Sequence, residues 1–492
     1  MASSRFTDFL EGGPLLQTER RVWPKWPLLV ILALLVLPVG QAWAETAPAP
    51  ATAPAPAIDN GVTAWMLMSS ALVLLMVPGL ALFYGGMVRA KNVLNMFLCC
   101  MVAIGVIGMH WIFIGYAIAF PANAPILSIG GFNILGFDPG LVMLRVFSEP
   151  GQMYRLAMSG DATNAVPTGV PELAFVMFQG KFAIITPALI VGAVAERIRF
   201  GPFILFMLIW STIVYCPVAY CVWNVQGALW TYGVFDFAGG TVVHVLAGVS
   251  SLALCLVIGP RVGYGKIPMP PHSLGLTLIG AGLLWFGWFG FNAGSTIAIP
   301  GSELKDFMGI SAMAFTATQV AAAAAATVWM FVEWWHVGKP TILGFASGMV
   351  AGLVVITPCA GHVNPGGAMV IGLIGGVVCY GGTQLKKIFN YDDSLDAFGV
   401  HGVGGAAGAL LVGIFAIRPL IDDKAPGGMT QFIKQAVGLG IATVFAFVMT
   451  YVIATIIHKT IGMRVSVDDE QTGLDLALHG EKGYHLDEDL IV

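Results

Sequence analysis

Apolar residues run in blocks of about 20, separated by short polar joints, along almost the whole chain. The blocks are rich in Leu, Ile, Val, Ala and Gly and show no strict alternation. Wound as a helix, a block of about 20 residues crosses a hydrocarbon core of about 30 Å. A membrane β-strand is shorter and alternates in polarity, so the pattern predicts helices. About eleven spans fall near 62–86, 94–120, 173–195, 201–222, 240–259, 274–295, 309–333, 341–359, 367–384, 397–417 and 431–458. The fold class expected is an all-α membrane protein with a polar tail at 462–492.

Composition removes the soluble alternatives. Of 492 residues, 57% are hydrophobic and 10% charged, against roughly 25% charged in a soluble domain. The mean hydropathy is +0.83. The net charge of −4 says nothing about nucleic acid, but no basic stripe of the kind that reads phosphate is present, so no nucleic-acid partner is expected. The seven cysteines lack zinc-type spacing and read as small buried hydrophobes. No nucleophile–base constellation or nucleotide loop is present, so neither an enzyme nor a cofactor is expected.

The ends set an orientation. Arg20, Arg21 and Lys25 flank an apolar stretch, Pro27 to Val39, and Ala42-Trp43-Ala44 has the form of a signal-peptidase site. Residues 1–44 therefore read as a signal peptide, with an uncleaved first helix as the rival. The Ala/Pro/Thr-rich segment 45–58 reads as a linker, and 59–461 as the transmembrane domain. Twelve lysines and arginines fall in one set of alternate joints and six in the other. The richer set belongs in the cytoplasm, which puts the N-terminus outside and the C-terminus inside.

Two segments echo one another. Asp236-Phe-Ala-Gly-Gly-Thr-Val-Val-His244 opens the fifth span, and Asp396-Ala-Phe-Gly-Val-His401-Gly opens the tenth. An offset of five spans reverses direction across the membrane, which is the signature of an inverted five-plus-five repeat with its site between the halves. Histidine is costly in hydrocarbon and faces a cavity or a partner. Six of the nine histidines lie near span ends, and His110 reads as a hydrogen-bonded core residue. His244 and His401 are brought together by the repeat. They read either as a polar strip that hydrogen-bonds a small neutral guest or as a staple between helices. Heme ligation is a third reading, and the Gly-rich surroundings, which favour close packing, count against it.

At these residues the sequence resembles the Amt/Mep/Rh ammonium transporter family, in its bacterial Amt-type form. Further strings carry the resemblance: Gly192-Ala-Val-Ala-Glu-Arg-Ile-Arg-Phe200, Trp285-Phe-Gly-Trp-Phe-Gly-Phe-Asn-Ala-Gly-Ser295, and Gly473-Leu-Asp-Leu-x-x-His479-Gly-Glu481. They run in order over about residues 60–484. The resemblance implies a homotrimer of eleven-helix protomers in the bacterial inner membrane, with a pore in each. It also implies the site residues. Trp223, Ser295, Phe182 and Asp236 would form an external ammonium recruitment site, Phe182 and Phe291 a stacked gate, and His244 and His401 the pore. Aromatic faces attract a cation, by about 2 kcal/mol or more once it is desolvated, and a serine oxygen accepts one ammonium N–H. A dry pore rejects ions, so the guest would pass as ammonia. The start of a Gly-rich helix suits Asp236 to capping backbone amides more than to acting as proton acceptor or direct ligand. The polar stretch from Gly473 to Tyr484 resembles a tail that docks on the cytoplasmic face and serves a PII-type signal protein.

Two departures stand out. Lys181 immediately precedes a gate phenylalanine, where the family has a small or hydroxyl residue. Asn224-Val-Gln226 follows Trp223, where the family runs glycine-rich. A sensor on the same scaffold and a Rh-like gas channel are the rivals within this resemblance.

Overall fold

The computed structural model describes residues 58–122, 124–149, 151–159, 166–298, 304–417 and 427–484. The expected signal peptide, all but the last residue of the linker, and the last eight residues of the tail lie outside them. Ten helices in this set are long and apolar enough to cross a membrane. They are α1 (Asn60–Met87), α2 (Ala90–Ala119), α3 (Glu172–Val194), α4 (Phe200–Trp223), α5 (Gly240–Ile258), α6 (Leu274–Thr296), α7 (Met308–Val337), α9 (Pro365–Phe389), α10 (Phe398–Phe415) and α11 (Met429–Thr460). An additional apolar helix, α8 (Ile342–Ile356), is shorter, and the chain after it stays buried through Val363. Each coincides with one of the expected spans, in order.

Helices satisfy backbone groups internally, which hydrocarbon demands, and the sequence marks where several begin. Asp59, Ser273, Thr341 and Asn364 each accept a hydrogen bond from a first-turn amide of α1, α6, α8 and α9. Asn390, in the left-handed region, closes α9. Large apolar side chains such as Met109, Trp335, Ile441 and Val444 are more than half exposed on outer faces. Such a surface suits lipid and not water.

The joint between α2 and α3 shows no readable sequence motif, yet it holds two short antiparallel hairpins. These are β1 (Pro125–Ile129) with β2 (Phe132–Gly136), and β3 (Leu156–Ser159) with β4 (Val166–Pro171). Buried Glu172 fastens the second of them to α2: it accepts from Tyr116 Oη at 2.8 Å and pairs with Arg155 at 2.5 Å. The ends of the helices on this side are termed the hairpin face.

At the opposite, tail face, the segment after α11 folds back. Asp475 accepts the Leu94 and Asn95 amides at 3.1 and 2.8 Å, capping α2, and His479 Nε2 bonds Asn95 Nδ2 at 2.9 Å. Tyr484 reaches His272 at 2.9 Å. Buried Glu196 holds Arg89 and Arg261, and Arg261 also holds Asp392 at 2.8 Å. Glu470 of the tail joins through Val262 N–H and Arg464.

Candidate functional site

The site grows from two buried aspartates. Gly239 (φ +109°) turns the chain so that four successive amides converge on Asp236. Oδ1 accepts from Gly239 and Gly240 at 3.0 and 2.6 Å; Oδ2 accepts from Thr241 and Val242 at 3.0 and 2.9 Å. A carboxylate at a helix N-terminus is favoured by these charge-assisted bonds and by the helix dipole. The next residues, Gly240–Val245, form a widened π-helical turn that carries His244, a feature frequent at functional positions.

The tenth helix repeats this construction in a different register from the sequence echo, which set Asp396 opposite Asp236. Asp393 is the structural counterpart. It accepts the Ala397 and Phe398 amides at 3.0 and 2.7 Å, and a π-helical turn, Phe398–Gly402, carries His401. Both capping aspartates stand eight residues before their histidine. Asp396 stands five before it, adopts φ +60°, and pairs with Lys386 at 2.7 Å.

His244 Nδ1 and His401 Nδ1 lie 3.2 Å apart, with rings tilted by 16°. One ring donates and the other accepts, so the pair holds one shared proton and can stay neutral. The direct contact is unlike two axial ligands on opposite sides of a heme iron. Close packing of α5 on α10 makes the contact possible. A Cβ on Gly248 would lie 2.0 Å from the Gly402 nitrogen, and one on Gly405 would lie 2.9 Å from His244 Cβ. Each glycine stands four residues after one histidine and packs beside the other. His244 Nε2 is buried without a hydrogen-bond partner among the described residues.

Aromatic rings rise from the pair toward the hairpin face. Trp288 stacks on His244 at 5.3 Å. Phe291 lies 5.9 Å from His244 and 4.2 Å from Phe182, and Phe182 meets Trp223 edge-on at 5.7 Å. Ser295 Oγ donates to the Phe291 carbonyl at 2.8 Å, which directs its proton inward and leaves its lone pairs free to accept. Trp223 Nε1 donates to the Asp236 carbonyl at 2.9 Å. Between the phenylalanines and the histidines lies a cavity of about 10 Å³, lined by Ile185, Leu189, Leu284, Trp288, Phe291 and both histidines among others. It is at the lower limit for one water-sized molecule. A second cavity of about 50 Å³ continues from His401 past Val350 and Tyr84 to Asp396.

Of the seven residues singled out in the sequence, Trp223, Phe182, Phe291, His244 and His401 form one column, and Ser295 is tied to it through the Phe291 carbonyl. Asp236 supports it from behind, because both its oxygens are engaged by amides. Lys181 is half-buried and lines neither cavity. Met177, one turn away on the same side, is exposed, whereas Gly180 faces Trp111. Asn224, the other departure, donates to the Pro121 carbonyl at 3.1 Å and so ties the end of α4 to the end of α2. Sequence reasoning missed three members. Phe178 lies 4.9 Å from Phe182, and the i,i+4 spacing on one helix signals it. Trp288 stands three residues before Phe291 on the same face. Asp393 is found by matching the eight-residue spacing.

Residues 64–484 match the model of the Ammonium Transporter Family. An ammonium transporter of Bacillus subtilis is 43% identical over 435 residues, covering 87% of this chain and 99% of its own. One of Aquifex aeolicus is 44% identical over 434 residues, covering 87% and 94%. Among solved structures, Saccharomyces cerevisiae Mep2 is similar with a TM-score of 0.71 and 32% identity, over 83% of this chain and 91% of that one. A protein described as a sensor Amt protein is similar with a TM-score of 0.73 and 27% identity, over 85% and 98%.

Proposed function

The chain belongs to the ammonium transporter family, and we propose that it recruits ammonium at Trp223, Phe182 and Ser295, releases its proton to water on the hairpin face, and conducts ammonia past His244 and His401. The observation that carries this reading is the neutral histidine pair with one buried, unpartnered nitrogen on a cavity sized for a single small molecule. Ammonia both donates and accepts hydrogen bonds, so imidazole nitrogens can hand it along without carrying charge. An ion in the same space would lose its hydration for no matching return. Phe182 and Phe291 act as the gate, and Asp236 acts through the backbone it caps.

The matched construction of α5 and α10 supports an inverted repeat of five helices each, with α11 outside it. The hairpin face is then external and the tail face cytoplasmic, in a bacterial inner membrane. The docked tail is the surface on which a PII-type protein would act, and the assembly is a homotrimer embedded in membrane lipids. A second reading, a sensor on the same scaffold with little or no conduction, is favoured by the likeness to a sensor Amt protein, and Lys181 beside Phe182 is the departure on which to test it. The test is the rise in internal pH of reconstituted liposomes after an ammonium pulse, measured over protein-free liposomes. Wild type should give a faster rise that His244→Ala abolishes. No added rise in wild type, with one in Lys181→Ser, would replace the transporter reading with the sensor one.

A further inference from the structure

Gln435 on α11 is buried, and it uses all its hydrogen-bonding capacity. Its Oε1 accepts the Phe235 amide at 2.7 Å, and its Nε2 donates to the carbonyls of Phe235 at 2.7 Å and Ala409 at 3.0 Å. Gln431, one turn earlier, donates to the Gly233 carbonyl at 2.8 Å and to Gln435 Oε1 at 3.1 Å. One side chain thus grips both backbone groups of Phe235, as a neighbouring β-strand would. The Phe235 ring lies against His362 at 5.1 Å. The next residue is Asp236, whose carbonyl receives the Trp223 indole and whose carboxylate caps the His244 helix.

We infer that Gln435 is a positioning residue for ammonium recruitment: through Phe235 and Asp236 it fixes the Trp223 wall, and so gives α11 control of substrate affinity. The inference rests on the recruitment reading above. A buried polar group that binds both backbone groups of Phe235, with the Ala409 carbonyl of α10 completing the set, is a costly way to fill space, since an apolar side chain would pack there without needing partners. The segment it holds sits directly behind the aromatic column.

Gln435→Met keeps the volume and removes the bonds. In the full chain reconstituted in liposomes, peptides over 233–242 should exchange amide hydrogens about tenfold faster, while those around His401 stay protected. The half-saturating ammonium concentration for transport should rise about threefold or more, with the maximal rate within about twofold of wild type. Unchanged exchange overturns the inference. So does a lower maximal rate at unchanged half-saturation, which is what a purely structural role predicts. If Gln435→Met does not fold, Gln431→Met reads the same two quantities, with a smaller expected rise. A wild type without ammonium-dependent transport removes the recruitment reading and this inference together, and the wild-type curve alone tells that case apart.

Discussion

Asp236 shows how much one side chain can hold. Its two oxygens serve four amides, and an unpaired buried donor costs about 1–3 kcal/mol. Asp236→Asn offers one acceptor oxygen in place of two and turns a donor toward other donors. We expect a lower melting temperature in detergent for Asp236→Asn, a larger drop for Asp236→Ala, and loss of ammonium transport in both. A wild-type melting temperature in Asp236→Asn would refute the capping role. Within the column the histidines were legible from their chemistry, as ionisable groups in hydrocarbon, whereas Trp223, Ser295, Phe182 and Phe291 were reached only through the resemblance. Phe178, Trp288 and Gln435 were reached by neither. A helix that is apolar all round gives its periodicity no direction, so the i,i+4 step to Phe178 and the i,i+3 step to Trp288 become signals only once Phe182 and Phe291 are placed.

Between elements, the decisive contact is α5 on α10. A methyl group at Gly248 would press on backbone, which cannot swing aside as a side chain can. Gly248→Ala should separate the helices, open the 3.2 Å histidine contact, and cost about 1–3 kcal/mol by overpacking. Gly105→Ala on α2, where nothing lies within 4 Å, should leave both stability and transport unchanged. Ammonium transport and thermal melting of the two variants check this, and wild-type transport by Gly248→Ala would sink it. The helices themselves were legible throughout, because hydrocarbon thickness fixes their length. The echo was legible in its histidines and glycines but misaligned in its aspartate. Asp393 sits three residues earlier than the more conspicuous Asp396; its eight-residue spacing to His401 matches that of Asp236 to His244, and the backbone amides show it to be the cap. The hairpins between α2 and α3 left no trace, since strands of four to six residues in a loop show too few alternations to register.

At the scale of the molecule, the tail face is held by a buried ionic network that ties together segments far apart in the chain. Burial alone would raise the Glu196 carboxyl, but the Arg89 hydrogen bonds and the Arg261 charge outweigh it and hold it below the usual range. Asp392 is likewise held low: burial pushes it up, and the Arg261 hydrogen bonds with the charges of Arg197 and Arg261 overcome this. A carboxylate held low adds stability that is complete above its unfolded value, about 4, and is lost as pH falls through the folded one. The melting temperature should thus hold above about pH 5 and fall below about 4. Glu196→Gln should begin lower, by about 3–5 kcal/mol for a broken buried pair, and lose less on acidification. Equal acid slopes in the two proteins would contradict this assignment. The narrow cavity above the histidines has a consequence of another kind. It admits one guest at a time, so occupancy at that point cannot exceed one however high the concentration outside, and a second molecule must wait beyond the phenylalanines or in the wider space toward Asp396.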